Sequence, residues 1–249
     1  MGPIQRYGLR ATLFAVAVLL VSVPFSLLLA QIVTEGPATR WDASATQSLT
    51  EAVRGVPPVL ALMHALSFLG SPVWFWVLGS VVGIHIWFRT RRRRPVIFIA
   101  VTGWLGGLIG IAVKVLVGRP RPELDEPLAH ALGKSFPSGH AMTSVVMYGA
   151  LLLVVLPLVA AAWRPMLVTA TGLVVLGIGV SRLALGVHFM TDVVGGWVLG
   201  GAWLAASTAA FNIWRFHEGD PPLRPPKRLI SDEQSRRSAE ERIDREGRA

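Results

Sequence analysis

The chain has 249 residues, of which 52% are hydrophobic and only 16% charged, a balance foreign to soluble globular domains and expected of an integral membrane protein. It contains no cysteine, which excludes disulfides, thiolate nucleophiles and sulfur-ligated metal sites. Its net charge of +9 is gathered in short basic segments beside apolar runs, the pattern of a topology signal, and nucleic-acid binding is not expected.

Crossing a bilayer takes about 20 apolar residues in a helix. Six stretches qualify, at approximately 10–33, 72–88, 95–117, 140–161, 166–187 and 192–214. Arg6 and Arg10 ahead of the first stretch imitate a signal peptide, but its apolar run exceeds the 7–15 residues of a signal core, so a retained span is predicted. Between the first two spans, VPPVLALMHALSFLG (56–70) is too short to cross and is bracketed by Pro57, Pro58 and Gly70; it reads as an interfacial or re-entrant helix. The expected fold is therefore all-α and integral to the membrane, with six transmembrane helices and a short interfacial helix between the first and second. Residues 1–216 form the membrane domain, and 217–249, rich in charge and proline, form a solvated cytoplasmic tail.

Orientation follows from arginine and lysine in short loops. RTRRRR (89–94) carries five arginines and no acid, Arg164 marks the next inner loop, and Arg215 begins the tail. The loop at 34–55 instead sets Arg40 and Arg54 against Glu35, Asp42 and Glu51. Both termini are expected inside, in a multi-pass protein of the cell (inner) membrane, with loops 34–71, 118–139 and 188–191 facing outward.

Ionisable groups at membrane depth are costly and mark function by default. Three clusters occur: Lys114, Arg119 and Arg121 in KVLVGRPRP; Ser138 and His140 in PSGH; and Ser181, Arg182, His188 and Asp192 in SRLALGVHFMTD. On the derived topology all three reach the outer face. Lys114, Arg121 and Arg182 supply cations suited to phosphate oxygens. Lys114 and Arg121, seven apart, share a face if the helix persists for two turns. Gly139 permits close backbone approach, and the amides of Ser138 and Gly139 at a helix start form an anion site. His188 and Asp192, four apart, allow the carboxylate to accept from one ring nitrogen while the other attacks, which makes His188 the nucleophile. His140 is left as general acid. Two histidines and an aspartate could also hold a metal, but three converging cations would repel one, and metal-free catalysis without a cofactor is expected. Arg119 is read as solvent-facing in preference to a phosphate contact. His64, His85, His130 and His217 are given no role.

The three stretches match the pattern K-x6-RP, PSGH, SR-x5-H-x3-D over residues 114–192, in order and at the right spacing. In this the chain resembles the type 2 phosphatidic acid phosphatase (PAP2) superfamily, which includes six-helix lipid phosphatases. The resemblance implies that Lys114, Arg121, Ser138, Gly139 and Arg182 bind phosphate, that His188 forms a phosphohistidine oriented by Asp192, and that His140 is the acid. Met190 departs from the proline many relatives carry there, which touches only local loop shape. The expected activity is hydrolysis of a lipid phosphomonoester or diphosphate, such as phosphatidylglycerol phosphate, phosphatidic acid or a polyprenyl diphosphate, at the outer leaflet. The alternatives are transfer of the phosphoryl group to another lipid, or non-catalytic transport of a lipid phosphate. The sequence is silent on oligomeric state.

Overall fold

The computed structural model of the chain describes residues 23–124 and 128–217. These fold as helices α1 (Val23–Val33), α2 (Pro37–Arg54), α3 (Pro57–Leu69), α4 (Pro72–Thr90), α5 (Arg94–Val117), α6 (Gly139–Val155), α7 (Arg164–Ala184) and α8 (Met190–His217). Two short 3₁₀ turns, Leu156–Leu158 and Ala161–Trp163, join α6 to α7. Five helices are long and apolar enough to cross a membrane: α4, α5, α6 with its following turn, α7 with its preceding turn, and α8. Of the predicted first span, residues 10–22 lie outside the described residues and the rest is α1. The charged tail after 217 lies outside them too.

Proline punctuates the chain as its chemistry requires. α2, α3, α4, α5 and α7 each have proline in the first two positions, where the missing amide has no intrahelical partner to lose. The stretch 34–55, expected as an outer loop, is instead the helix α2. Its buried residues are Asp42, Thr46, Thr50 and Val53, a stripe at helical spacing that is mostly polar, so the apolar periodicity that would announce a helix is missing. The predicted 56–70 helix is α3; it packs along α7, with Leu66 against Gly177. The predicted fourth span, 140–161, ends as an α-helix at Val155, because Pro157 cannot continue the ladder.

α6 is the central helix, packed along α8, α5 and α7. In its span 44% of residues are buried, against 17% for α4, so α6 is enclosed by protein while α4 offers most of its apolar surface outward. Outward apolar side chains such as Val115 and Leu116 on α5 are what a lipid-facing surface requires. The α6–α8 contact is close because Gly196 and Gly200 on α8 face the α6 backbone: a Cβ at Gly196 would lie 2.7 Å from the Ser138 carbonyl oxygen, and one at Gly200 2.7 Å from that of Met142. Backbone cannot swing aside as a side chain can. Gly196→Ala is therefore expected to lower stability in detergent by about 1–3 kcal/mol and to reduce activity by moving Ser138; an unchanged melting temperature would contradict this packing.

Away from the PSGH end, Phe75, Ile86, Phe98, Ile99, Met147, Ala150, Leu151 and Val154 form an apolar core between α4, α5 and α6. Nearer that end, Tyr148 donates to the Leu69 carbonyl (2.9 Å) and accepts from Trp74 Nε1 (3.1 Å), fixing the α3–α4 turn to α6.

Candidate active site

Four chain segments meet at one end of the bundle: the end of α5 with its following loop, the start of α6, the α7–α8 turn, and the buried stripe of α2. α7 stops at Ala184, and Gly186, at φ +73°, turns the chain back. That conformation suits glycine and delivers His188 just ahead of α8. The start of α6 is tied to the start of α8 by the Ser138 amide, which donates to the Asp192 carbonyl (2.9 Å). His140 and His188 are thus brought to the same end of the molecule.

His188 is buried, with 2% of its surface exposed. Its Nε2 lies 3.2 Å from an Arg121 guanidinium nitrogen. A guanidinium has no acceptor, so Nε2 carries the lone pair and Nδ1 the proton. Nδ1 faces Asp192 Oδ2 at 3.4 Å and Ser135 Oγ at 3.4 Å. Burial lowers the His188 pKa from 6.5 to about 4, outweighing the opposing pull of Asp192. The long contact is consistent with that order, since 3.4 Å is beyond a strong hydrogen bond.

Asp192 is fully buried and saturated with donors. Its Oδ1 accepts from Arg119 (2.6 Å); its Oδ2 accepts from the Ser135 hydroxyl through a short bond and from the Phe189 amide (2.9 Å). Arg119 also pairs with Asp42 Oδ2 (2.7 Å), donates to Thr191 Oγ1 (2.7 Å) and lies 4.4 Å over the Phe189 ring. The expectation that Arg119 faces solvent is therefore wrong: its side chain is 11% exposed and neutralised by two carboxylates.

The three other cations differ from Arg119. Lys114 donates to the carbonyls of Lys134 (2.8 Å) and Ser135 (3.3 Å). Arg121 donates to the carbonyls of Val187 (2.7 Å), Gly133 (3.0 Å) and Leu132 (3.0 Å), and burial lowers its pKa. Arg182, 6% exposed, makes a short bond to Ser67 of α3, while its Nε is buried with no partner. Among the described residues none of the three pairs with a carboxylate. Lys114 and Arg121 do not share a helical face: α5 ends at Val117 and Gly118, at φ +65°, redirects the chain, so Arg121 reaches the site from a loop.

The α6 start also differs from expectation. The Ser138 amide is already engaged by Asp192 and its hydroxyl accepts from the Ala141 amide (3.5 Å), which leaves the Gly139 and His140 amides without partners among the described residues. Gly139 lies beside Lys114, with only 3.8 Å from a would-be Cβ to the lysine chain. Among the described residues no three His, Asp or Glu side chains converge as metal ligands. A cavity of ≈ 340 Å³ runs from Lys114, Gly139 and His140 along α4 and α5 past Trp76, Trp104 and Ile111.

Sequence reasoning missed Asp42, Ser67, Ser135 and Thr191. Asp42 carries a faint signal in the Asp42, Thr46, Thr50 spacing, and Ser135 sits within SFPSGH; nothing local marks Ser67.

The profile of the PAP2 superfamily matches residues 93–216. Phosphatidylglycerophosphatase B of Bacillus subtilis is 30% identical over 166 residues, covering 63% of this chain and 80% of that protein. Decaprenylphosphoryl-5-phosphoribose phosphatase of Mycolicibacterium smegmatis is 30% identical over 163 residues, covering 64% and 83%. The crystal structure of a transmembrane PAP2 type phosphatidylglycerolphosphate phosphatase from Bacillus subtilis superposes with a TM-score of 0.70 at 25% identity, covering 83% of this chain and 98% of that one. The chain belongs to the PAP2 superfamily. It is a multi-pass membrane enzyme of the family's phosphatase branch, a hydrolase acting on phosphoric esters.

Proposed function

We propose that the protein hydrolyses a phosphomonoester or diphosphate of a lipid through a phosphohistidine on His188, without a metal ion. The observation that carries this reading is the set of three cations, Lys114, Arg121 and Arg182, that gather around the His140–His188 pair, Arg121 against the His188 ring itself, without a carboxylate partner among the described residues. Such an arrangement calls for an anion, and phosphate oxygens suit guanidinium forks. The partnerless Arg182 Nε and the Gly139 and His140 amides supply further donors.

His188 Nε2 attacks phosphorus and the ester oxygen departs with a proton from His140. Water then attacks the phosphohistidine, returns a proton to His140 and releases inorganic phosphate. Asp192 holds the imidazolium character that develops as Nε2 bonds to phosphorus. Ser138 orders the α6 start through Asp192 and Ala141 and offers its hydroxyl to the phosphate.

The cavity between α4 and α5 supports a lipid. Its outer rim is apolar and open, with Trp104 61% and Ile111 60% exposed, so a chain lying there stays in contact with the bilayer while the phosphate reaches Lys114. The curated relatives act on phosphatidylglycerophosphate and decaprenylphosphoryl-5-phosphoribose, two chain types that an open groove admits equally. The arginines of 89–94 at the far end of α4 and α5 favour an inward position for that end, which supports an active site at the outer face.

The test is inorganic phosphate release by detergent-solubilised protein from a panel of phosphatidylglycerol phosphate, phosphatidic acid and polyprenyl mono- and diphosphates, with and without EDTA. Release that persists in chelator is expected. Loss of release in EDTA, restored by a divalent ion, refutes the metal-free reaction, and no release from any lipid favours transport.

A further inference from the structure

Resting on the reading of His188 as nucleophile, we infer that Asp42 of α2 and Arg119 are positioning residues that fix the Asp192 carboxylate, and through it the His188 tautomer. The two do not face the Nε2 edge of the ring. They act from behind, on the opposite edge of Asp192.

Arg119 occupies Oδ1 of Asp192 and so commits Oδ2 to Ser135, the Phe189 amide and the His188 ring. Arg119 is itself held from the other side: Asp42 Oδ2 takes its second nitrogen at 2.7 Å, and the Phe189 ring covers its face. Asp42 also accepts from the Thr191 amide (2.9 Å) and hydroxyl (2.5 Å), fastening the residue that precedes Asp192. Thr46, one turn on in α2, donates to the His188 carbonyl at 3.4 Å. One helix stripe thus grips both ends of the 188–192 segment. Because buried ion pairs in general contribute little net stability, orientation is the better account of two buried carboxylates sharing one guanidinium.

Charge bookkeeping gives a signature that packing alone lacks. The groups acting directly on His188 are Asp192 from α8, Arg121 from the loop after α5, Lys114 from the end of α5 and His140 from α6; Arg119 acts through Asp192, Asp42 of α2 through Arg119, and Arg182 of α7 faces His140 and Arg121. Removing the Arg119 charge leaves Asp192 to act on the ring alone and favours imidazolium. Removing the Asp42 charge leaves Arg119 less neutralised and disfavours it.

The experiment measures kcat, KM and the acid limb of kcat/KM for Arg119→Gln, Arg119→Lys and Asp42→Asn in the full-length enzyme, with inorganic phosphate release as readout and thermal melting alongside. Arg119→Gln is expected to lower kcat by about thirty-fold, within the ten- to hundred-fold range of orienting groups one layer behind a ligand. Its KM stays within about three-fold, since no phosphate contact is lost. Its acid limb moves to higher pH by about one unit, and that of Asp42→Asn moves to lower pH. Arg119→Lys, which keeps the charge, restores the wild-type limb and part of kcat. The inference is overturned if Arg119→Gln keeps kcat within about two-fold, or if both neutral variants shift the limb in the same direction or leave it in place while merely melting earlier. Should Arg119→Gln not fold, Asp42→Asn decides alone: an acid limb that moves to lower pH supports the inference, and one that stays in place or moves to higher pH overturns it. Release that survives His188→Ala refutes the nucleophile assignment instead, so the two failures are distinguishable.

Discussion

With His188 as the proposed nucleophile, its replacement by alanine is expected to lower phosphate release by roughly 10⁵- to 10⁶-fold in kcat, the scale on which removal of a covalent nucleophile is felt. The side chain is buried, and Arg121 loses the Nε2 acceptor that it now approaches at 3.2 Å, yet the fold is expected to survive because Arg121 keeps three carbonyl acceptors. Two pH measurements sharpen the result. With its pKa lowered to about 4 by burial, His188 is unprotonated through the neutral range, and the nucleophile's contribution to the rate declines only as pH falls through about 4. Stability moves with the same group. Between pH 6.5 and about 4 the unfolded chain takes up a proton at His188 that the folded chain refuses, so stability falls as pH falls across that window, by at most about 1.4 kcal/mol per pH unit. His188→Ala removes this component, and its melting temperature is expected to decline less steeply than that of the wild type across the same interval. Equal slopes, or appreciable release by the variant, would count against the assignment.

Sequence reasoning reached the five spans found among the described residues, and singled out motif residues that the fold gathers at one end of the bundle, because both are written locally. A bilayer demands an unbroken apolar run, and 95–117 was read against an observed Arg94–Val117. Helix ends were harder where a single residue decides them: the span expected at 166–187 stops at Ala184, since the chain must turn at Gly186 to present His188. The motif residues were legible because polar groups beside membrane helices are conspicuous. Their partners were not. Asp42 meets Arg119 across 77 positions and Ser67 meets Arg182 across 115, and no spacing rule connects such pairs. α2 escaped because its buried face is polar, stabilised by hydrogen bonds to the α7–α8 turn instead of by an apolar stripe. Reading Arg119 as solvated followed from treating it alone; a guanidinium two residues from Arg121 looks redundant until its carboxylates are located.

Asp192→Asn is expected to lower kcat by about 10⁴-fold, the scale of replacing a histidine-orienting carboxylate by its amide, and to lower the melting temperature as well, because a buried donor is left facing donors. The substitution preserves shape and leaves the amide only one comfortable orientation. Arg119 donates at the Oδ1 position, so the amide oxygen must stay there and the NH₂ group replaces Oδ2. That group then confronts the Phe189 amide, a donor at 2.9 Å, and the His188 Nδ1 proton. His188 can relieve the second clash only by moving its proton to Nε2, where it meets the Arg121 guanidinium and forfeits the attacking lone pair. Either tautomer therefore faces a donor, and the productive one is no longer favoured. Coupling to Arg119 is the discriminating measurement. In the Asp192→Asn background, Arg119→Gln frees the amide to turn its oxygen toward His188, so the second substitution costs far less than it does alone, and the pair is strongly non-additive. Additive losses in that double-mutant cycle would mean that Asp192 acts through its charge and not through the tautomer it imposes.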